Sequence, residues 1–237
     1  MRQTEDLPRW LFLFGFAYAF MHIIPVFFTV EIENRLTWGD ILAILTPLVV
    51  VFTAWKLFSI LSSAVDFIRL TAVFWLMLAA SLLYAGGQGM NLAANAIARH
   101  LADQGMTPIF QLTYFFDERL GHILWHIGMV GMTAALLLRS QSLQGSHSKA
   151  LCLLGSLSFA FAYFTDAVEG QTVFLLLPAA MVIVIWMGFR SFRARDSIAK
   201  NPVNRFFLTG YAIALLLFLI WRIWQGGFPE FSELGWI

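Results

Sequence analysis

The sequence predicts an all-α fold: a single domain over residues 1–237, built as a bundle of seven transmembrane helices. Composition is the first reason. The chain is 59% hydrophobic and 12% charged, about half the roughly 25% of charged residues in soluble domains. The second reason is segmentation. Seven apolar stretches lie near 9–30, 40–63, 70–95, 119–139, 149–168, 172–190 and 204–224. Each is about the ~20 residues that cross a hydrocarbon core. The third is continuity. Runs such as LTPLVVVFTAW are apolar throughout, not alternating as barrel strands do. Together these exclude a soluble enzyme, a disordered chain and a basic-surfaced nucleic-acid binder. Cys152 is the sole cysteine, which excludes an internal disulfide.

The first span contains Ala17-Tyr18-Ala19 after WLFLFGF, a pattern resembling a leader cleavage site. The preceding MRQTEDLPR balances two acids with two arginines, and the apolar run continues to Val30. This favours a span over a leader. Pro25 predicts a kink that frees a carbonyl near His22. Asp66 and Arg69 are spaced for an i, i+3 pair near the inner end of span two. Segment 96–118, with His100, reads as a structured loop. His147 falls in an inner polar loop. The final GGFPEFSELGWI reads as an interface cap, or as a flap over a site.

Basic residues set the expected orientation. With the amino terminus cytoplasmic, the inner side receives Arg2, Arg9, Lys56, Arg69, Arg139, Lys149, Arg190, Arg193, Arg195, Lys200 and Arg205. The outer side receives Arg35, Arg99, Arg119 and Arg222, four of the 15. The positive-inside rule then places the carboxyl terminus outside. Acids gather oppositely, with Glu31, Glu33, Asp40, Asp103, Asp117, Glu118, Asp166, Glu169, Glu230 and Glu233 all on the outer side.

Chemistry-bearing residues converge on the same half. His122 and His126 are four apart, so a helix puts both imidazoles on one face, ~6 Å apart at Cβ. Glu118 lies one turn earlier. Such a pair commonly offers two nitrogens to one metal; the alternative is hydrogen-bonding glue between helices. His22 lies at matching depth in span one, roughly 10–12 Å below the surface at 1.5 Å per residue. Ser81, Tyr84, Gln88, Asn91 and Asn95 form a polar stripe on span three. Gly86, Gly87 and Gly89 beside it read as close-packing positions or as room for a ligand. Asp166 and Glu169 share a face at the end of span five.

The expected site therefore has His22, His122, His126 and Glu169 as metal ligands. Asp117, Glu118 and Ser81 are the catalytic candidates. Gln88, Asn91, Asn95 and Asp166 support the substrate or the ligands. Imidazoles and carboxylates suit a divalent ion, zinc foremost, with bound water as the nucleophile. A metal-dependent hydrolase of a lipid or amphiphilic amide or ester in the outer leaflet follows as an expectation.

GHILWHIG, through His122, Trp125 and His126, resembles the His-x2-Trp-His element of seven-helix membrane hydrolases, the alkaline ceramidase and adiponectin-receptor group. That resemblance implies a zinc held by three histidines, with an aspartate and a serine nearby. In that group the pair lies on the last helix, whereas here it lies on the fourth. Rival readings are a haem- or quinone-binding electron-transfer subunit using His22 and His126, an ion or small-molecule transporter or receptor, and an assembly subunit. Seven compact spans without large loops suit a bacterial cytoplasmic (inner) membrane, with the lipid bilayer as partner and no nucleic acid.

Overall fold

Among the described residues of the computed structural model, seven helices are long and apolar enough to cross a membrane: Leu7–Phe27, Trp38–Ser62, Thr71–Leu101, Pro108–Arg139, Lys149–Glu169, Val173–Arg190 and Pro202–Gln225. The chain is a multi-pass integral membrane protein. The structure describes all residues except 1–5, 63–66, 102, 104, 141–147, 195–200 and 237. Arg2, Asp66, His147, Arg195 and Lys200 lie outside the described residues, and with Asp66 the expected pair to Arg69.

Helix α1 (Leu7–Ile23) begins with Pro8 in its first turn, where the missing N–H costs nothing. Its continuation Ile24–Phe27 is a 3₁₀ turn. Pro25 cannot donate to the carbonyl of Met21. The Thr46 hydroxyl donates to that carbonyl instead, at 2.9 Å. A two-stranded hairpin follows, β1 (Glu31–Glu33) and β2 (Leu36–Thr37). Helix α2 (Trp38–Ser62) opens with a reciprocal cap. The Thr37 N–H donates to Asp40 Oδ2 at 2.7 Å, and the Asp40 N–H donates to Thr37 Oγ1 at 3.2 Å.

Helix α3 (Phe67–Leu101) runs 35 residues, and α4 (Pro108–Tyr114) begins soon after, capped by Thr107. The loop expected at 96–118 is therefore mostly helical. Polar residues there do not end the helix, because they extend the stripe toward a cavity. A wide π turn (Phe115–Gly121) joins α4 to α5 (His122–Arg139). Helices α6 (Lys149–Glu169), α7 (Val173–Ala194) and α8 (Pro202–Gln225) complete the bundle.

Small residues set the closest crossings. Gly87 of α3 abuts the backbone of Trp125 and Gly121, and Gly128 of α5 abuts Tyr84 and Ala80, so a Cβ at either would strike main chain. Gly86 and Gly89 face open space, so only one of the three glycines is a packing contact. Between α1, α6 and α8 lies an aromatic core of Phe14, Phe159, Phe206, Phe207 and Tyr211, all fully buried. Some of their rings meet edge-on, as for Phe159–Tyr211 at 5.3 Å, and others stack, as for Phe14–Phe159 at 6.1 Å.

Alternating spans leave two chemically different ends. One carries Arg9, Arg139, Lys149 and Arg205. The other carries the hairpin, the π turn and the chain after α8, and it holds a cavity.

Candidate functional site

The cavity, about 590 Å³, lies at the end of the bundle opposite the basic residues. Of the residues singled out from sequence, His22, Asn91, Asn95, Glu118, His122, Asp166 and Glu169 line it. They come from α1, α3, the π turn, α5 and α6. Asp117 lies just behind, its carboxylate accepting from Asn91 Nδ2 at 2.8 Å. Gln88 stands under His22.

His22 has both ring nitrogens engaged. Nδ1 is 2.7 Å from the Tyr18 carbonyl, an acceptor only, so Nδ1 carries the hydrogen and donates. Nε2 then accepts from the Gln88 amide at 3.0 Å and from the Tyr84 hydroxyl at 3.1 Å. The ring lies flat on Trp125, with centroids 4.9 Å apart and planes 13° apart. His122 packs on Trp125 as well, at 5.1 Å. Its Nδ1 donates to the Asp117 carbonyl at 3.0 Å, and Gly170 is the only residue small enough to sit against its ring.

His126 goes elsewhere. It is fully buried, and its Nδ1 meets the Thr172 hydroxyl at 2.8 Å. The 122/126 spacing does bring the two rings to 6.1 Å. The indole of Trp125 packs on both rings, however, and only His122 reaches the cavity.

The lone pair of His22 Nε2 is taken by Gln88 and Tyr84. His126 meets Thr172 through Nδ1, and its Nε2 is buried without a hydrogen-bond partner among the described residues. Among the described residues, no three His, Cys, Asp or Glu are grouped to hold an ion. Ser81 is not part of the cavity. It is buried, donates to the Met77 carbonyl at 2.7 Å and accepts from Trp55 Nε1 at 2.9 Å, so its hydroxyl ties α2 to α3.

Three features of the lining had no place in the sequence reading of the site. Arg99 continues the α3 stripe by another turn and donates to Asp40 at 2.7 Å; the stripe spacing of 88, 91, 95, 99 was the available signal. Asp40 was visible as the cap partner of Thr37. Glu230 and Ser232 arrive from the chain after α8. Glu169 accepts from the Phe231 N–H at 2.8 Å, and Gln171 donates to Glu230. Trp236 then packs against Trp221 and Phe231. GGFPEFSELGWI is thus both an aromatic cap and a strap over the cavity. No spacing rule connects residue 230 to residue 169.

Charge on the lining is one-sided. Among the described residues Arg99 is its only Lys or Arg, and it is committed to Asp40. Glu118, Asp166, Glu169 and Glu230 have no Lys or Arg partner among the described residues. Glu118 lies within the field of Glu169 and Glu230. Pro25, Val26, Phe28, Ala43 and Leu92 form an apolar wall, contributed by α1, the chain after it, α2 and α3.

A family model described as ceroid-lipofuscinosis neuronal protein 6 matches residues 10–227. The chain belongs to the ceroid-lipofuscinosis neuronal protein 6 family. Curated relatives are the human ceroid-lipofuscinosis neuronal protein 6, 26% identical over 153 residues, and its dog homologue, 25% identical over 160 residues. Each alignment covers 62% of this chain and 48% or 47% of the relative. The chain thus spans about half the length of the curated relatives it matches. No solved structure matches.

Membership in the ceroid-lipofuscinosis neuronal protein 6 family overturns the resemblance to the alkaline ceramidase and adiponectin-receptor group. It also corrects the expectation of a metal-dependent lipid hydrolase, which rested on the imidazole and carboxylate set and on GHILWHIG: the family and relatives that match carry the name ceroid-lipofuscinosis neuronal protein 6, not that of a hydrolase. The physical reason is local. A His-x3-His spacing records one helix face, while a metal site needs free lone pairs converging on a point. Both curated relatives are mammalian, so they lend no support to a bacterial inner membrane.

Proposed function

We propose that this chain is a membrane-embedded binding protein whose cavity takes the cationic head group of an amphiphile. One observation carries the reading: four carboxylates on the lining lack a Lys or Arg partner among the described residues, and only Asp166 has a histidine near it, His22 Nδ1 at 3.9 Å, while part of the same lining is a wall of apolar side chains. Acids at membrane depth are costly without compensation, and a low-dielectric cavity lined by one sign of charge concentrates the opposite sign. The apolar wall suits the first carbons of a hydrocarbon tail, and the half-exposed Val26 and Phe28 mark where a tail would leave. The role is binding, with no bond made or broken.

The same reading orients the chain with its basic end in the cytoplasm, supported by the bias of Lys and Arg toward that end. The cavity then opens on the non-cytoplasmic side.

Binding of dodecylamine, dodecanol and dodecanoate to the protein in lipid nanodiscs tests this. Dodecylamine is expected to bind saturably and the other two not. Glu118→Gln is expected to weaken the amine by about tenfold, since it removes one desolvated charge partner. Equal binding of amine and alcohol would refute the cationic preference.

A further inference from the structure

A second, smaller cavity lies at the opposite end of the molecule, between the first turns of α6 and α8. It measures about 180 Å³, and Lys149 and Arg205 stand on its lining together with Cys152, Ser156 and Thr209. No acid lines it. We propose that this groove binds the phosphate of an anionic phospholipid, with Lys149 and Arg205 as the two cationic contacts.

Four observations support the assignment. First, neither basic side chain makes an ion pair or a side-chain hydrogen bond among the described residues. Second, they come from different helices, which gives a phosphate two separate donors. Arg205 is half-buried, so its position is held by packing, and a guanidinium matches phosphate oxygens in a bidentate fork. Third, α6 begins at Lys149 and α8 at Pro202, so two helix amino termini add partial positive charge at the same place. Fourth, the groove is built for a chain as well as a head. Besides the two cations its walls are Leu153 and the small side chains of Ala150, Cys152, Ser156 and Thr209. Ser156 Oγ is turned away, donating to the Phe206 carbonyl at 2.9 Å, and Cys152 Sγ lies 3.8 Å from the Pro202 carbonyl. The walls are thus satisfied and nearly apolar, while the mouth is charged. That gradient follows a phospholipid, with head group at the membrane face and glycerol and acyl carbons deeper. Basic pockets between spans are a known arrangement for anionic head groups.

The test is native mass spectrometry of the delipidated protein titrated with dioleoyl phosphatidic acid, dioleoyl phosphatidylcholine or inorganic phosphate. Phosphatidic acid is expected to bind in preference to phosphatidylcholine. Lys149→Gln and Arg205→Gln are each expected to reduce the preference about fivefold, from ~1 kcal/mol per basic residue near a membrane surface. If Arg205→Gln does not fold, Lys149→Gln, exposed on the first turn of α6, carries the same expectation. Equal binding of the two lipids, or a preference unchanged in the variant that folds, overturns the site. Displacement of phosphatidic acid by inorganic phosphate alone overturns the lipid assignment and leaves a phosphate site.

Discussion

Polar side chains are buried at both ends of this bundle, and they behave differently. At the basic end they are paired. Arg139 donates to the Ser62 hydroxyl at 3.0 Å and to its carbonyl at 2.8 Å. Asn201 caps α8 and donates to the Ser140 carbonyl, and the Ser140 hydroxyl donates to Asn204. At the cavity end the pairing is incomplete. The buried side-chain atoms with no hydrogen-bond partner among the described residues are Tyr18 OH, Arg99 Nε, Trp125 Nε1, His126 Nε2 and Asp166 Oδ2, the last lying 3.9 Å from His22 Nδ1. All five belong to the half that holds the large cavity. An unsatisfied buried polar group costs ~1–3 kcal/mol, and in a membrane there is no bulk water to relieve it. The basic end therefore uses polarity to hold helices together. The cavity end carries polarity beyond what packing needs, which is the mark of a site.

This contrast can be broken or sharpened by substitution. The largest effect is expected where both ends depend on one contact. Gly128→Val drives side-chain atoms into the backbone of Tyr84 and Ala80. It should destabilise by about 3 kcal/mol or more, read as loss of a monodisperse species on size exclusion. Asn201→Ala removes a cap and the bond to the Ser140 carbonyl. A loss of about 2 kcal/mol in thermal unfolding is expected. Glu118→Gln should differ in kind. Its carboxylate has no hydrogen bond or ion pair among the described residues, so stability should move by no more than about 0.5 kcal/mol. A loss near that of Asn201→Ala would make Glu118 a structural residue and erase the contrast. Smallest of all for the fold is Asn34→Cys, on the exposed hairpin. Cys152 is buried, so a membrane-impermeant maleimide should label the variant from the non-cytoplasmic side only. Labelling from the cytoplasm would invert the orientation.

The span count was legible because helix length and continuous apolarity are fixed by bilayer thickness. Boundaries were less legible where a polar face turns inward. Asn95, Arg99 and His100 looked like loop, yet they continue α3 because one side of that helix borders a cavity. The consequence of Pro25 was legible in kind, a freed carbonyl, but not in detail. Its recipient, Thr46, lies on another helix, and helix pairing is not written in local sequence. Convergence of polar residues on one half was visible from their depths. Their division of labour was not: Ser81 and His126 share spacing with cavity residues, but one serves Trp55 and the other Thr172. The strap had an aromatic signal, and its closure onto Glu169 had none.

The most direct test compares dodecylamine affinity in nanodiscs for the wild type, Glu118→Gln and Arg205→Gln. An acidic binding cavity confined to one end predicts a loss of about tenfold for Glu118→Gln and none for Arg205→Gln. Equal affinities in all three proteins would contradict it.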